Sequence, residues 1–258
     1  MDDKQVTDTV YPSETIDLPS KGLFYPKDSP LSSGQIDIKY MTAKEEDILT
    51  STNLIQKGIV LDKLMDSLIV TKGVKSSDLL IGDLNAVMVA ARILGYGKDY
   101  NVDVQCPACG TTVEQQIDLT QLKTENEPDA TSSREFTVTL PVSKAQITLK
   151  LMTRADELAI DKENKAMKKA NFDTENDSTS RLRAMIHAVN NDTAKTTIWK
   201  FVESMLVRDA RYLREQYRSH VPDVDFKIEI DCDCAEDSSK KTMRLPIGVN
   251  FFWPDARV

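Results

Sequence analysis

The sequence predicts an α+β fold of two duplicated halves, each running strand, helices and cysteine knuckle, with an extended N-terminal arm in front. Three observations predict it. Short alternating apolar stretches (Ile36, Ile38, Tyr40; Ile147, Leu149, Leu151) are each followed by segments whose apolar residues recur at helical spacing. Two cysteine pairs, Cys106 with Cys109 and Cys232 with Cys234, each follow a further alternating stretch. Finally, IDIKYMTAKEEDIL (Ile36 to Leu49) aligns with ITLKLMTRADELAI (Ile147 to Ile160), the Ile, Lys, Met, Thr and one Glu coinciding.

Taken in order, residues 1–35 form the arm, because Pro12, Pro19, Pro26 and Pro30 with intervening Ser and Gly interrupt every regular period. The first α+β half spans 36–122. Its strand is Ile36 to Tyr40, and Thr42 followed by Glu45 and Glu46 marks a helix start with a capping-box acid. Leu54 to Ile69 and Leu79 to Leu94 repeat at helical spacing, the latter stopped by Gly95. Val102 and Val104 lead into CPACG, and Val113, Ile117 and Leu119 lead out, a hairpin with a cysteine tip.

The polar stretch 123–133 reads as a linker. The second half, 134–245, opens with alternation at Phe136, Val138 and Leu140, then continues with a helix opened by Thr153 and helical patterns over Arg181 to Val189 and Lys195 to Tyr217. Phe226, Ile228 and Ile230 alternate into CDC, and Met243 and Leu245 suggest the return strand. Residues 246–258 are a tail. The halves agree in order as well as in motif: each begins with a Leu-Pro segment (Leu18, Pro19; Leu140, Pro141), and the separation of Asp83 from Asp209 equals that of Cys106 from Cys232.

With 40% hydrophobic and 29% charged residues the composition is that of a globular protein. The net charge of -8 disfavours nucleic acid as a partner, because a phosphate backbone would meet overall repulsion. No apolar run is long enough for a membrane span, and MDDKQVTDTV lacks the basic and apolar regions of a signal peptide, so synthesis and residence in a reducing compartment are expected. There, clustered cysteines bind metal more often than they form disulfides.

Cys106, Cys109, Cys232 and Cys234 are therefore expected to form one structural zinc site joining the two halves, with iron as the less economical metal and unpaired or oxidised thiols as the alternative. In CPACG the proline stiffens the turn, and the glycine can take a positive φ. CDC is tighter than the usual knuckle and lacks the glycine. His187 and His220 lie away from both pairs in sequence and are excluded as ligands. Two histidines, neither beside a nucleophile motif, leave little material for a catalytic triad, and no phosphate-loop motif or other sign of a small-molecule substrate site is present.

Tyr11, Phe24 and Tyr25 in the arm and Phe251, Phe252 and Trp253 in the tail are large apolar groups in segments that cannot bury them locally; they either pack onto their own domain or dock a partner protein.

The CPxC knuckle, the downstream Phe226–Cys234 stretch, and the segments LPSKGLFYP, YMTAKEEDIL and LLIGDLNAVMVAARILGYG together resemble the baseplate hub proteins of T4-like tailed phages. The resemblance runs from Leu18 to about Leu245. It implies a non-enzymatic component of the baseplate central hub that binds other hub and tail proteins, assembles in the host-cell cytoplasm and resides in the virion tail. The CDC pair departs from the family's usual spacing. A zinc-ribbon regulatory module contacting nucleic acid or a polymerase is the alternative, and would require lysines and arginines gathered on one face of the ribbon.

Overall fold

The computed structural model describes residues 12–169, 177–230, 232–234 and 241–252. Its first hairpin pairs β1 (Ser13–Asp17) antiparallel with β2 (Gln35–Lys39), Ile16 opposite Ile36. Ile36 and Ile38 alternate inward and are both buried, which sets the core face of β2. The helices α1 (Ala43–Thr50), α2 (Thr52–Lys57), α3 (Val60–Leu68) and α4 (Ile81–Tyr96) follow. The hairpin of β3 (Asp99–Gln105) and β4 (Thr112–Asp118) closes this part of the chain, and β5 (Thr124–Glu125) leads away from it.

Next comes a three-stranded antiparallel sheet of β6 (Glu135–Thr139), β7 (Gln146–Lys150) and, beyond α5 (Arg154–Lys169) and α6 (Asp177–Met185), β8 (Ile186–Val189). Then α7 (Lys195–Glu203) and α8 (Val207–His220) lead to β9 (Asp223–Val224), which pairs with β5. The chain ends its described course in a hairpin of β10 (Lys227–Ile230) and β11 (Lys241–Arg244) and a 3-10 turn at Val249–Phe252.

Several expectations are corrected. Residues 12–35 are not an extended arm: β1 is paired, and the Pro- and Ser-rich loop folds back so that Ser20 and Tyr25 reach Asp83 on α4. Helix stops at Met185 where one was expected to Val189, because Ile186 and Val189 extend to become the third strand beside β7. The Lys195 to Tyr217 helix is broken at Leu206, whose extended backbone (φ -65°, ψ 140°) starts α8. Gly95 lies inside α4, which ends at Tyr96 with Gly97 as its C-cap. Part of the 123–133 linker is strand β5.

Packing also divides the chain differently from the expected halves. One apolar core gathers Ile36, Ile38, Leu64 and Val87 together with Phe226, Ile230, Phe251 and Phe252, so the last hairpin leaves α8 and joins the first part of the chain. A second core gathers Ile147, Leu149, Leu182, Ile198 and Leu213. The two are tied by close contact: α4 approaches the α8–β9 connection so tightly that a Cβ on Gly82 would stand 1.9 Å from the Pro222 carbonyl oxygen.

Segments in register make the same local bonds. Lys39 and Thr42 converge on Glu45: the ammonium donates at 2.8 Å, and the Thr42 N–H and hydroxyl donate at 2.9 and 2.5 Å. Lys150 and Thr153 converge on Asp156 in the same way, at 2.9, 2.9 and 3.1 Å. Both acids sit in the first turn of a helix, where the orphan N–H groups favour negative charge.

Candidate metal centre

The β3–β4 hairpin keeps strict register from Asp99↔Asp118 to Gln105↔Thr112, which brings Cys106 to its tip. There the Cys106 N–H donates to Thr111 O at 2.9 Å and the Gly110 N–H to Cys106 O at 2.8 Å, a tight knuckle. Gly110 has φ 73°, and a Cβ added to it would meet nothing within 4 Å, so this turn needs a glycine for backbone conformation and not for space. The Cys106 sulfur receives the Ala108 and Cys109 backbone N–H groups.

The β10–β11 hairpin packs in the same core and delivers Cys232 and Cys234 opposite this knuckle. Cys106 Sγ lies 3.6 Å from Cys234 Sγ and Cys109 Sγ lies 3.6 Å from Cys232 Sγ, and all four sulfurs fall within 4.8 Å of one another. A tetrahedral zinc with bonds of about 2.3 Å sets its sulfurs about 3.8 Å apart, so four soft donors at this spacing fit such an ion. Cys106 is buried and Cys109 exposed, so one side of the cluster reaches solvent.

The thiols do not share one proton affinity. Hydrogen bonds from the Thr111 hydroxyl and N–H pull Cys109 down to about 6. The Ala108 N–H, with that of Cys109, lowers Cys106 against the effect of burial. At Cys232 the Cys234 N–H also acts to lower the pKa, but the Cys234 thiol, burial and the Cys109 and Cys106 thiols outweigh it and push Cys232 up to about 12. Without a cation the cluster therefore holds part of its protons, and a bound dication would be needed to keep all four sulfurs as thiolates.

Sequence reading missed two contributors. Thr111 acts on Cys109, and Lys241 on β11 places its ammonium 2.5 Å from Cys234 Sγ, which raises the lysine's own proton affinity. Four thiolates around a dication retain two negative charges, and a lysine at this place offsets part of them. No motif marks Lys241, because strand pairing alone brings it to the cysteine.

The aromatic candidates fare differently from the cysteines. Phe24, Phe251 and Phe252 were expected among the partner-docking residues, but all three are buried in this chain; Phe251 and Phe252 are fully inaccessible. Their rings pack edge-on to each other, and Phe251 to Tyr100, filling the base of the cysteine hairpins. Tyr25 is half-buried and donates its hydroxyl to Asp83 at 2.6 Å, while accepting the Leu80 N–H at 2.8 Å. Trp253 and Tyr11 lie outside the described residues.

A cavity of about 260 Å³ opens between the two cores, lined by Arg181, Arg214, Arg218 and Arg244 among others. Arg181 is paired there with Glu157 at 2.9 Å and Arg244 with Asp223 at 3.1 Å, and the lining holds no histidine, cysteine or serine.

Fold and site together define an α+β protein in which two cysteine hairpins, far apart in sequence, converge on one four-thiol cluster. The family model of the T4 bacteriophage base plate protein matches residues 16–253, and the chain belongs to that family. It is thus a phage baseplate protein with a structural role. No match was found among curated proteins or among solved structures.

Proposed function

We propose that the chain is a non-enzymatic component of the baseplate central hub, bound to other hub and tail proteins, with one zinc held by Cys106, Cys109, Cys232 and Cys234. The family match over residues 16–253 carries the assembly role. The zinc is structural: four protein ligands leave no open position for water or substrate, and the ion's contribution is to hold the thiolates and fix the two hairpins. Zinc suits four clustered sulfurs better than a hard cation would. The two halves are read as a duplication, supported by the matched Lys–Thr–acid bonds at Glu45 and Asp156 and by the matched positions of Asp83 and Asp209.

Charge on the first cysteine hairpin tells against a nucleic-acid module. Asp99, Asp103, Glu114 and Asp118 stand on it, residues 99–122 contain no lysine or arginine, and within residues 227–244 the basic Lys227, Lys240, Lys241 and Arg244 are matched by Glu229, Asp231, Asp233, Glu236 and Asp237. Among the described residues no helix is long and apolar enough to cross a membrane. Assembly in the host-cell cytoplasm followed by residence in the virion tail fits these features.

The test is affinity capture of the tagged, zinc-loaded chain from infected cells. Co-purification of baseplate hub proteins, with loss of that capture in a virion lacking the chain's function, is expected. Capture of no tail protein, or of wedge and fibre proteins alone, would remove the hub assignment.

A further inference from the structure

The two cores meet through a short antiparallel contact. Leu80 pairs with Thr153, the Ile81 N–H donates to Met152 O at 3.3 Å, and the Arg154 N–H donates to Leu79 O at 2.9 Å. Leu80 is 4% exposed, its side chain packed with Leu151 from across the contact and with Phe24. Arg154 then forks onto Asp62 of α3 at 2.7 and 3.0 Å, locking the contact.

Each half holds both kinds of edge. Met205–Leu206–Val207 stands at the start of α8 as Leu79–Leu80–Ile81 stands at the start of α4, and Met41–Thr42–Ala43 precedes Glu45 as Met152–Thr153–Arg154 precedes Asp156. Among the described residues one of the two possible contacts is made, the one between Leu79–Ile81 and Met152–Arg154. Leu206 is 51% and Val207 80% exposed, the most exposed large apolar side chains among the described residues. Met205 O, Val207 N–H, Met41 O and Ala43 N–H, the counterparts of the four groups bonded across the internal contact, make no backbone hydrogen bond among the described residues.

We propose that Met205–Val207 of one copy pairs antiparallel with Met41–Ala43 of a second copy, repeating between chains the contact made inside each chain. Unpaired backbone groups beside exposed apolar side chains are a template for strand-like pairing. The exposed Arg208 beside this edge meets the acidic N-terminal part of α1, where Glu46 and Asp47 are exposed. The contact is heterologous, so each associated copy still offers one edge, and assembly closes into a ring or continues as a chain. Ala43 stands where Arg154 stands in the internal contact, so the locking ion pair is not repeated and association depends on concentration. This inference rests on the duplication proposed above.

Sedimentation velocity of the zinc-loaded full chain from about 1 to about 100 µM tests it, with zinc content measured on the same samples. The parent is expected to associate, and Val207→Asp and Ala43→Asp each to weaken association by ~10-fold or more with unchanged melting temperature. Both positions are exposed, and an acid at the first residue of α1 suits the helix dipole. Mixing the two variants should restore a one-to-one dimer, because each supplies the edge that the other lacks. Arg208→Gln, which removes the charge from an exposed side chain without setting a second acid beside the buried Asp209, should weaken association in the same direction. A zinc-loaded parent that stays monomeric, variants that associate like the parent, or a mixture that stays monomeric would each overturn the contact while leaving the metal centre and the duplication standing.

Discussion

Asp83 and Asp209 stand at the same place in two helices: each is the third residue, each is fully buried, and each carboxylate accepts hydrogen bonds from a Leu-Pro turn earlier in the chain. Asp83 takes the Ser20 N–H and hydroxyl at 2.9 and 2.6 Å, and Asp209 takes the Val142 and Ser143 N–H groups at 2.9 Å each. Asp209→Asn puts an amide donor against two N–H donors or leaves one of them unmet, and should cost about 2 kcal/mol in urea denaturation. Stability equal to the parent's would show that the turn is held by other contacts.

Glu45 gives the protein a defined acid sensitivity. Burial acts to raise its pKa, but Lys39, Ser67 and Thr42 outweigh it and hold the carboxyl at about 2, from an ordinary 4.5. A depressed carboxylate contributes stability that is present above pH 4.5 and lost as the pH falls toward 2, here up to about 3 kcal/mol. Glu45→Gln should therefore lower stability at pH 7 and flatten its decline over that window relative to the parent. Parallel pH profiles for the two proteins would refute it.

Gly82 and Arg208 occupy matching helix positions in unlike surroundings. Gly82→Ala drives a methyl into the Pro222 carbonyl and should cost about 2 kcal/mol, whereas Arg208→Ala, on an exposed site, should change stability by less than about 0.5 kcal/mol. Thermal unfolding of both variants checks the contrast.

Phe252→Ala removes a fully buried ring beneath the cysteine hairpins and should destabilise the fold by about 4 kcal/mol. Calorimetry on the purified chain reads this without any partner present. A variant that melts like the parent would return Phe252 to the docking residues.

Metal removal tests the centre itself. Elemental analysis should find one zinc per chain, and Cys109→Ser or a strong chelator should lower the melting temperature steeply, because structural zinc can supply roughly 10 kcal/mol in small zinc peptides. A Cys109→Ser protein that melts like the parent yet fails to co-assemble would move the metal from a structural to an interface role.

The sequence by itself determined the α+β character, the cysteine hairpin tips and the capped start of α1, since each depends on neighbouring residues: alternation in β2, the Thr42–Glu45 spacing, the glycine after Cys109. Tertiary structure alone decided that Ile186–Val189 is strand and not helix, that β10–β11 joins the first core, that Phe251 and Phe252 are interior, and that Lys241 meets Cys234. Those outcomes depend on a partner far along the chain. A strand needs an edge to pair with and an aromatic ring needs a surface to cover it, and local periodicity records neither until the backbone has brought them together.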